Sequence, residues 1–386
     1  MKTNWLKVKF ELSIKKTVQP KGIKQKFFQS QGAFPVIDQS AEYIAGYTDD
    51  DKQLFKGNLP VIIFGDHTRV IKFVDFQFVL GADGTKVITP NDDFNAKYFY
   101  YYLLSVDLKS RGYNRHYKLL RELLIPCPPK PIQRKIVRVL DGVRGEIGKQ
   151  GEIVEKGKEM KKALMKKLFS EGVLGERLRE TEIGKMPVSW LVVQLGEVTK
   201  INPRNDIVLE NNEKVGFVTM ADVSNDGYIK NIQERLYKDV KNGFTKFQDG
   251  DYLFAKITPC MENGKGGLYR SERLKYAFGS TEFHIVRPAK EILSEFIGYL
   301  VNIGKFRKTA AENMSGACGQ KRVPKDFLNN YKFGLPSVGE QKEIVAILRR
   351  LDERIGAAQG RKRLYEELFE VMLNKLMAGE VSVDAV

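Results

Sequence analysis

A chain of 386 residues is too long for one ordinary core and suits two or three domains. Its formal charge of +16, from 64 Lys and Arg against 48 Asp and Glu, favours a polyanionic partner, and no apolar run approaches the ~20 residues of a membrane span. Three cysteines and three histidines without CxxC or HxxxH spacing argue against a disulfide framework or a zinc site.

In chain order, NWLKVKF around Trp5 opens the first segment. Short β-prone runs follow at Val61–Phe64, Val70–Phe73 and Lys86–Ile88, broken by glycine turns, and Tyr98–Leu104 has the pattern of an amphipathic helix. Residues 128–173 then read as one long helix. A second segment repeats the plan: SWLVVQL around Trp190, β-prone runs at Gly216–Thr219, Tyr252–Ile257 and Phe283–Val286, a helix at Glu295–Leu300, and a second long helix over 336–381.

The two long helices match without a gap at an offset of 208 residues. Gln133, Ile136, Val137, Leu140, Ile147, Gly148, Lys167, Leu168 and Val173 recur as Gln341, Ile344, Val345, Leu348, Ile355, Gly356, Lys375, Leu376 and Val381. Most are apolar, so what repeats is a buried face. The spacing predicts a seam of Ile136, Val139, Val143, Met160, Leu164 and Leu168 on the first helix. On the second it predicts Ile344, Ile347, Leu351, Ile355, Leu368, Met372 and Leu376. The middles, Gln150–Gly157 and Ala358–Arg363, are more polar and predict looser contact. The fold expected is α/β (α+β), a tandem pseudo-twofold repeat of two globular domains joined by two long helices packed as an antiparallel coiled coil. The boundaries are 1–127 and 184–335 for the globular domains, with 128–183 and 336–386 for the helical regions.

Thr181-Glu182-Ile183-Gly184-Lys185-Met186-Pro187-Val188-Ser189-Trp190 resembles the TEIG-x-IP-x-x-W junction of the specificity (S, HsdS) subunits of type I restriction–modification systems. Val188-Ser189 replaces the usual acidic-glycine pair. Pro336–Leu348 is similar to the family's P-x-x-x-EQ-x-x-IV-x-x-L helix start, and its first copy carries Ile132 where glutamate is usual. The resemblance covers essentially the whole length. It implies two target-recognition domains, each reading half of a bipartite site on double-stranded DNA. It also implies paired helices that set the spacer and dock two modification (methyltransferase) subunits, with restriction (translocase/nuclease) subunits completing the complex. S-adenosylmethionine, ATP and Mg²⁺ are then expected in the partners, with no cofactor or metal in this chain.

Base reading needs donors and acceptors on exposed loops, with cations beside them for phosphate. Two positions in each half fit. The first is the strand-to-strand turn: His67, Thr68 and Arg69 with Lys72, and in the second half Lys256, Thr258, Asn263 and Lys265. The second precedes the last strand: Arg111, Tyr113, Asn114, Arg115 and Lys118, and then Gln320, Lys321 and Arg322, whose setting resembles the family's G-x-x-QK loop. The run Lys156–Lys167 reads as a solvated face or partner surface.

No [DNS]PP[YFW] methyltransferase motif, Walker A loop, GxGxxG after a strand, HExxH or D…ExK nuclease set is present. The chain is therefore expected to be non-catalytic and, lacking a signal-peptide pattern, cytoplasmic. The rival reading is a non-catalytic two-headed scaffold that binds RNA or protein.

Overall fold

The computed structural model describes residues 5–16, 21–109, 115–204, 208–317 and 319–381. They divide into two compact units, residues 1–152 with 359–386 and residues 153–358, so each long helix contributes one part to each unit.

In the first unit, Leu6–Lys9 pairs antiparallel with Leu124–Cys127, Leu6 opposite Cys127. Val61–Gly65 is the middle strand of an antiparallel sheet, between Ile71–Val74 and Thr85–Ile88. All five of its residues are buried, which is why VIIF reads as a continuous apolar run without alternation. A second sheet orders Gly46–Thr48, Phe34–Ile37 and Val79–Leu80, the last two parallel. The helix Ala96–Ser105 starts at Asn95, whose side chain accepts from the backbone N–H groups of Lys97 and Tyr98. Its Tyr98, Phe99 and Tyr101 enter one core with Phe10 and Phe64.

The second unit repeats this plan with more strands. Leu191–Gln194 pairs with Lys332–Leu335 as Leu6–Lys9 does with Leu124–Cys127. One antiparallel sheet orders Thr199–Ile201, Phe283–Pro288, Tyr252–Ala255 and Gly266–Leu268. The other orders Gln233–Leu236, Lys214–Val218, Tyr276–Gly279 and Thr245–Gln248, with one parallel pair in its middle. The strands expected from sequence are present. The short ones at 34–37, 46–48, 233–236 and 245–248, and the helix Gly304–Glu312, gave no clear period.

The long helices are Lys130–Glu171 and Val338–Met377, and they pack together. In the first unit Ile136 and Leu140 share a core with Leu373, Leu376 and Met377. In the second, Met165 and Leu168 share one with Ile344, Val345 and Leu348. The start of one helix meets the end of the other in each unit, so the pairing is antiparallel. Each fully buried aliphatic side chain contributes roughly 1.5–3 kcal/mol. The helices stop at Gly172 and Gly379, near the chain's equivalent positions, with φ of 67° and 65° that glycine adopts without penalty.

Two seam expectations need correction. Met160 and Leu368, equivalent positions in the repeat, are 61% and 41% exposed. In each unit the helix segments pack against the globular part as well as against each other, and the buried face runs through Val154, Met165 and Leu373. The other seam residues are buried or half-buried. Nor is the middle loose. Val154, Ile355 and Ala358 form a small buried cluster, and a Cβ on Gly157 would lie 2.8 Å from Ile355. Arg361 Nε donates to Gln150 Oε1 at 3.1 Å.

Equivalent polar contacts recur in the two units. Gln133 Nε2 donates to the carbonyls of Pro128 and Asp93, while its Oε1 accepts from Asn95 N. Gln341 does the same with Pro336, Glu291 and Leu293. One ion pair recurs with its charges exchanged, as Lys97–Asp141 in the first unit and Glu295–Arg349 in the second.

Candidate nucleic-acid interface

In the first unit the turn from Val61–Gly65 to Ile71–Val74 closes through Gly65 N to Val70 O and Arg69 N to Gly65 O, both 2.8 Å. Arg69 holds φ at 64°, a strained value for a side-chain-bearing residue. Gln39 braces the turn from outside the strand pair. Its carbonyl accepts from Thr68 Oγ1 at 2.6 Å and its Oε1 from His67 N at 3.2 Å. Thr68 and Arg69 are exposed, His67 is half-buried, and the Arg69 guanidinium donates to Leu108 O.

The second candidate loop is tied to this turn. The Asp66 carbonyl accepts from His116 N at 2.8 Å, and its carboxylate accepts from Tyr117 N at 2.7 Å. His116 is buried by that contact, while Arg115 and Lys118 on either side are exposed. Lys118 lies on the short helix Tyr117–Arg121. Arg111, Tyr113 and Asn114 fall outside the described residues.

Lys72 does not join this surface. It is 3% exposed, bonded to the Glu42 carbonyl and 3.8 Å from the Asp38 carboxylate. Burial pushes its ammonium below the ordinary lysine range, against the opposing pull of Asp38 and Glu42. It sits on the inward face of a four-residue strand, a direction that its place two residues beyond the turn did not reveal.

The second unit builds the same junction differently. Between Tyr252–Ala255 and Gly266–Leu268 the chain makes a compact turn, with Met261 N bonded to Ile257 O and Asn263 N to Pro259 O. Thr258 N donates to Lys321 O at 3.0 Å, and Ile257 bridges Arg322. This brings the two candidate loops together and leaves Asn263, Gln320 and Lys321 exposed. Thr258 Oγ1 donates to Glu262 and Lys265 Nζ to Met220 O, and Lys256 is half-buried. Arg322 forks onto Glu282, with Nε to Oε2 at 2.9 Å and Nη2 to Oε1 at 2.7 Å. That bond holds the Glu282 carboxyl below the usual carboxylate range. Arg322 thus anchors the loop, and its two neighbours face outward.

Behind Arg322 stands His284. Its Nδ1 accepts from Asn202 Nδ2, and its Nε2 meets the Val323 carbonyl, both at 2.8 Å. Asp66, Gln39, Glu282 and His284 all position the loops, and none lies in a spacing that marks it in the sequence. Exposed amide and cationic groups on braced loops can pair with base edges and phosphates. Among the described residues no group of three or more His, Cys, Asp or Glu is arranged to hold a metal ion, and no helix is long and apolar enough to cross a membrane.

Residues 187–364 match the type I restriction modification DNA specificity domain. The specificity subunit of the type I restriction enzyme EcoAI from Escherichia coli is 30% identical over 238 residues, 59% of this chain and 38% of that subunit. The chain thus spans under two-fifths of that relative. The EcoR124I/EcoR124II specificity subunit, also from E. coli, is 24% identical over 86% of this chain and 82% of its own length. Among solved structures, the type I restriction–modification S subunit from M. genitalium superposes with a TM-score of 0.60 at 15% identity, covering 97% of this chain and 96% of its own. Residues 187–364 thus match a type I restriction modification DNA specificity domain, and the chain is similar to type I restriction–modification specificity subunits in sequence and in fold.

Proposed function

We propose that this protein is the non-catalytic DNA-reading subunit of a type I restriction–modification complex, each globular unit reading one half of a bipartite duplex site. The observation that carries this is the same junction in both units: a strand-to-strand turn bonded through the backbone to a second loop, Asp66 to His116 and Thr258 to Lys321. Both junctions present amide, hydroxyl or cationic side chains outward, suited to base edges with phosphate contacts beside them. The net charge of +16 favours the same polyanion.

In this reading the helix pair sets the spacer and docks two methyltransferase subunits, which would carry S-adenosylmethionine, while restriction subunits would use ATP and Mg²⁺. A groove in the second unit supports docking. Met165, Phe169, Met186 and Phe333 contribute apolar walls to a cavity of about 840 Å³, with Lys162 and Lys166 at its rim. Such a surface suits a protein partner better than a DNA backbone.

The test is footprinting of the chain assembled with methyltransferase subunits. Protection should fall on two short sequences with an untouched spacer. Exchanging residues 184–335 for a relative's segment should change one half only. Sequence-indifferent protection would favour an RNA- or protein-binding scaffold, and methylation by the isolated chain would overturn the non-catalytic assignment.

A further inference from the structure

Beneath the exposed turn of the second unit lies a guanidinium with no carboxylate partner among the described residues. Arg307, on the helix Gly304–Glu312, donates through Nη1 to the Met261 carbonyl and through Nη2 to Asn302 Oδ1, both at 2.8 Å. Its Nε is buried without a partner, and its charge lies 5.0 Å from the centre of the Phe254 ring. Burial pulls its pKa down to about 10.

The two bonds reach different segments. Met261 is itself fully buried and anchors the turn that carries Thr258 and Asn263. Asn302 passes the constraint on: its Nδ2 donates to Tyr252 Oη and to the Gly298 carbonyl. Its amide also lies against Gly227 and Gly264, at whose positive φ of 85° and 80° a Cβ would fall 2.9 Å and 3.4 Å from it. The Gly264 Cβ position is in turn 2.6 Å from the Asn225 carbonyl. One fork thereby holds the 257–264 turn, and Asn302 lies against the neighbouring 224–228 turn. The 257–264 turn is the one bonded to Lys321.

We infer that Arg307 is a positioning residue for sequence discrimination: it fixes the turn bearing Thr258 and Asn263 against the Gln320–Lys321 loop without touching DNA. This rests on the DNA-reading assignment above and adds the residue that sets the geometry of one reader. Lysine keeps the charge but cannot supply two bonds in a fixed plane, so Arg307→Lys separates geometry from electrostatics.

The experiment uses the full chain assembled with its methyltransferase partners. Wild type, Arg307→Lys and Arg307→Met methylate a randomised bipartite duplex library that is then sequenced, and amide exchange is followed over residues 257–264. Arg307→Lys should flatten base preference about tenfold in one half of the site, leave the other half unchanged, and speed exchange of the turn amides. If Arg307→Met fails to assemble, the lysine variant decides. Unchanged preference in both halves, equal blurring of both, or unchanged exchange overturns the inference. A wild-type complex with no bipartite preference would instead remove the DNA-reading assignment, and this inference with it.

Discussion

Trp190 Nε1 donates to Glu340 Oε2 at 2.8 Å, with the indole fully buried and the glutamate 4% exposed. The other carboxylate oxygen accepts from Val173 N at 2.9 Å, just past the end of the central helix. The tryptophan of the TEIG junction and the glutamate of the EQ helix start are thus two halves of one buried contact, 150 residues apart in sequence. In the first unit Trp5, Ile132 and Val381 occupy the corresponding places and all pack against that unit's core. Apolar contact there replaces the hydrogen bonds.

Glu340→Ala should destabilise the second unit by about 1–3 kcal/mol, since it strands the buried Trp190 indole N–H and the part-buried Val173 N–H. Urea unfolding monitored by Trp190 fluorescence in a Trp5→Phe background measures this, and a loss under ~0.5 kcal/mol would show the contact to be dispensable.

Gln133 and Gln341 each tie a helix start to the loop ahead of an amphipathic helix through two hydrogen bonds, with a third to the proline carbonyl at their own helix start. Alanine at either position should cost about 1–3 kcal/mol in its own unit. Amide exchange should report faster opening near Asn95 for one variant and near Leu293 for the other. Crossed or absent effects would contradict the equivalence of the two sites.

His284 should make the second unit acid-sensitive. Burial lowers its pKa from the ordinary imidazole value, with the Val323 carbonyl opposing. Nδ1 already accepts from Asn202 Nδ2, so a proton there would meet a donor. The unfolded chain therefore binds this proton at higher pH than the folded one. The contribution is fully present above about pH 6.5 and is lost as pH falls through and below that value. Denaturant midpoints at pH 8 and pH 5.5 should differ more for wild type than for His284→Gln, and equal differences would exclude this histidine as the cause.

On DNA, Lys321→Ala should weaken binding almost uniformly across sequences and reduce the salt slope by about one, as for a phosphate contact. Gln320→Ala should instead relax preference at one base position, by about 1–3 kcal/mol. Titrations at several salt concentrations on matched and mismatched duplexes separate the two. Interchanged outcomes would reassign the roles, and no effect from either would take the loop off the interface.

The duplication, the two helices and most central strands were legible in the sequence because each rests on local periodicity: Val61–Phe64 as a continuous apolar run, Ile136 to Leu168 and Ile344 to Leu376 at helical spacing. The exposure of Met160 and Leu368 was not, because a helix period says which residues share a face but not which neighbour that face meets. Lys72 and Arg322 look like any loop cations in one dimension. Only the fold turns Lys72 inward onto Glu42 and Asp38 and lays Arg322 across Glu282. The sequence by itself determined that one plan is used twice and which residue types its loops carry. The tertiary structure decided which of those residues face outward, because a side chain's direction and partner depend on segments far away in sequence, as with Gln39 at the Thr68 turn and Arg307 beneath Met261.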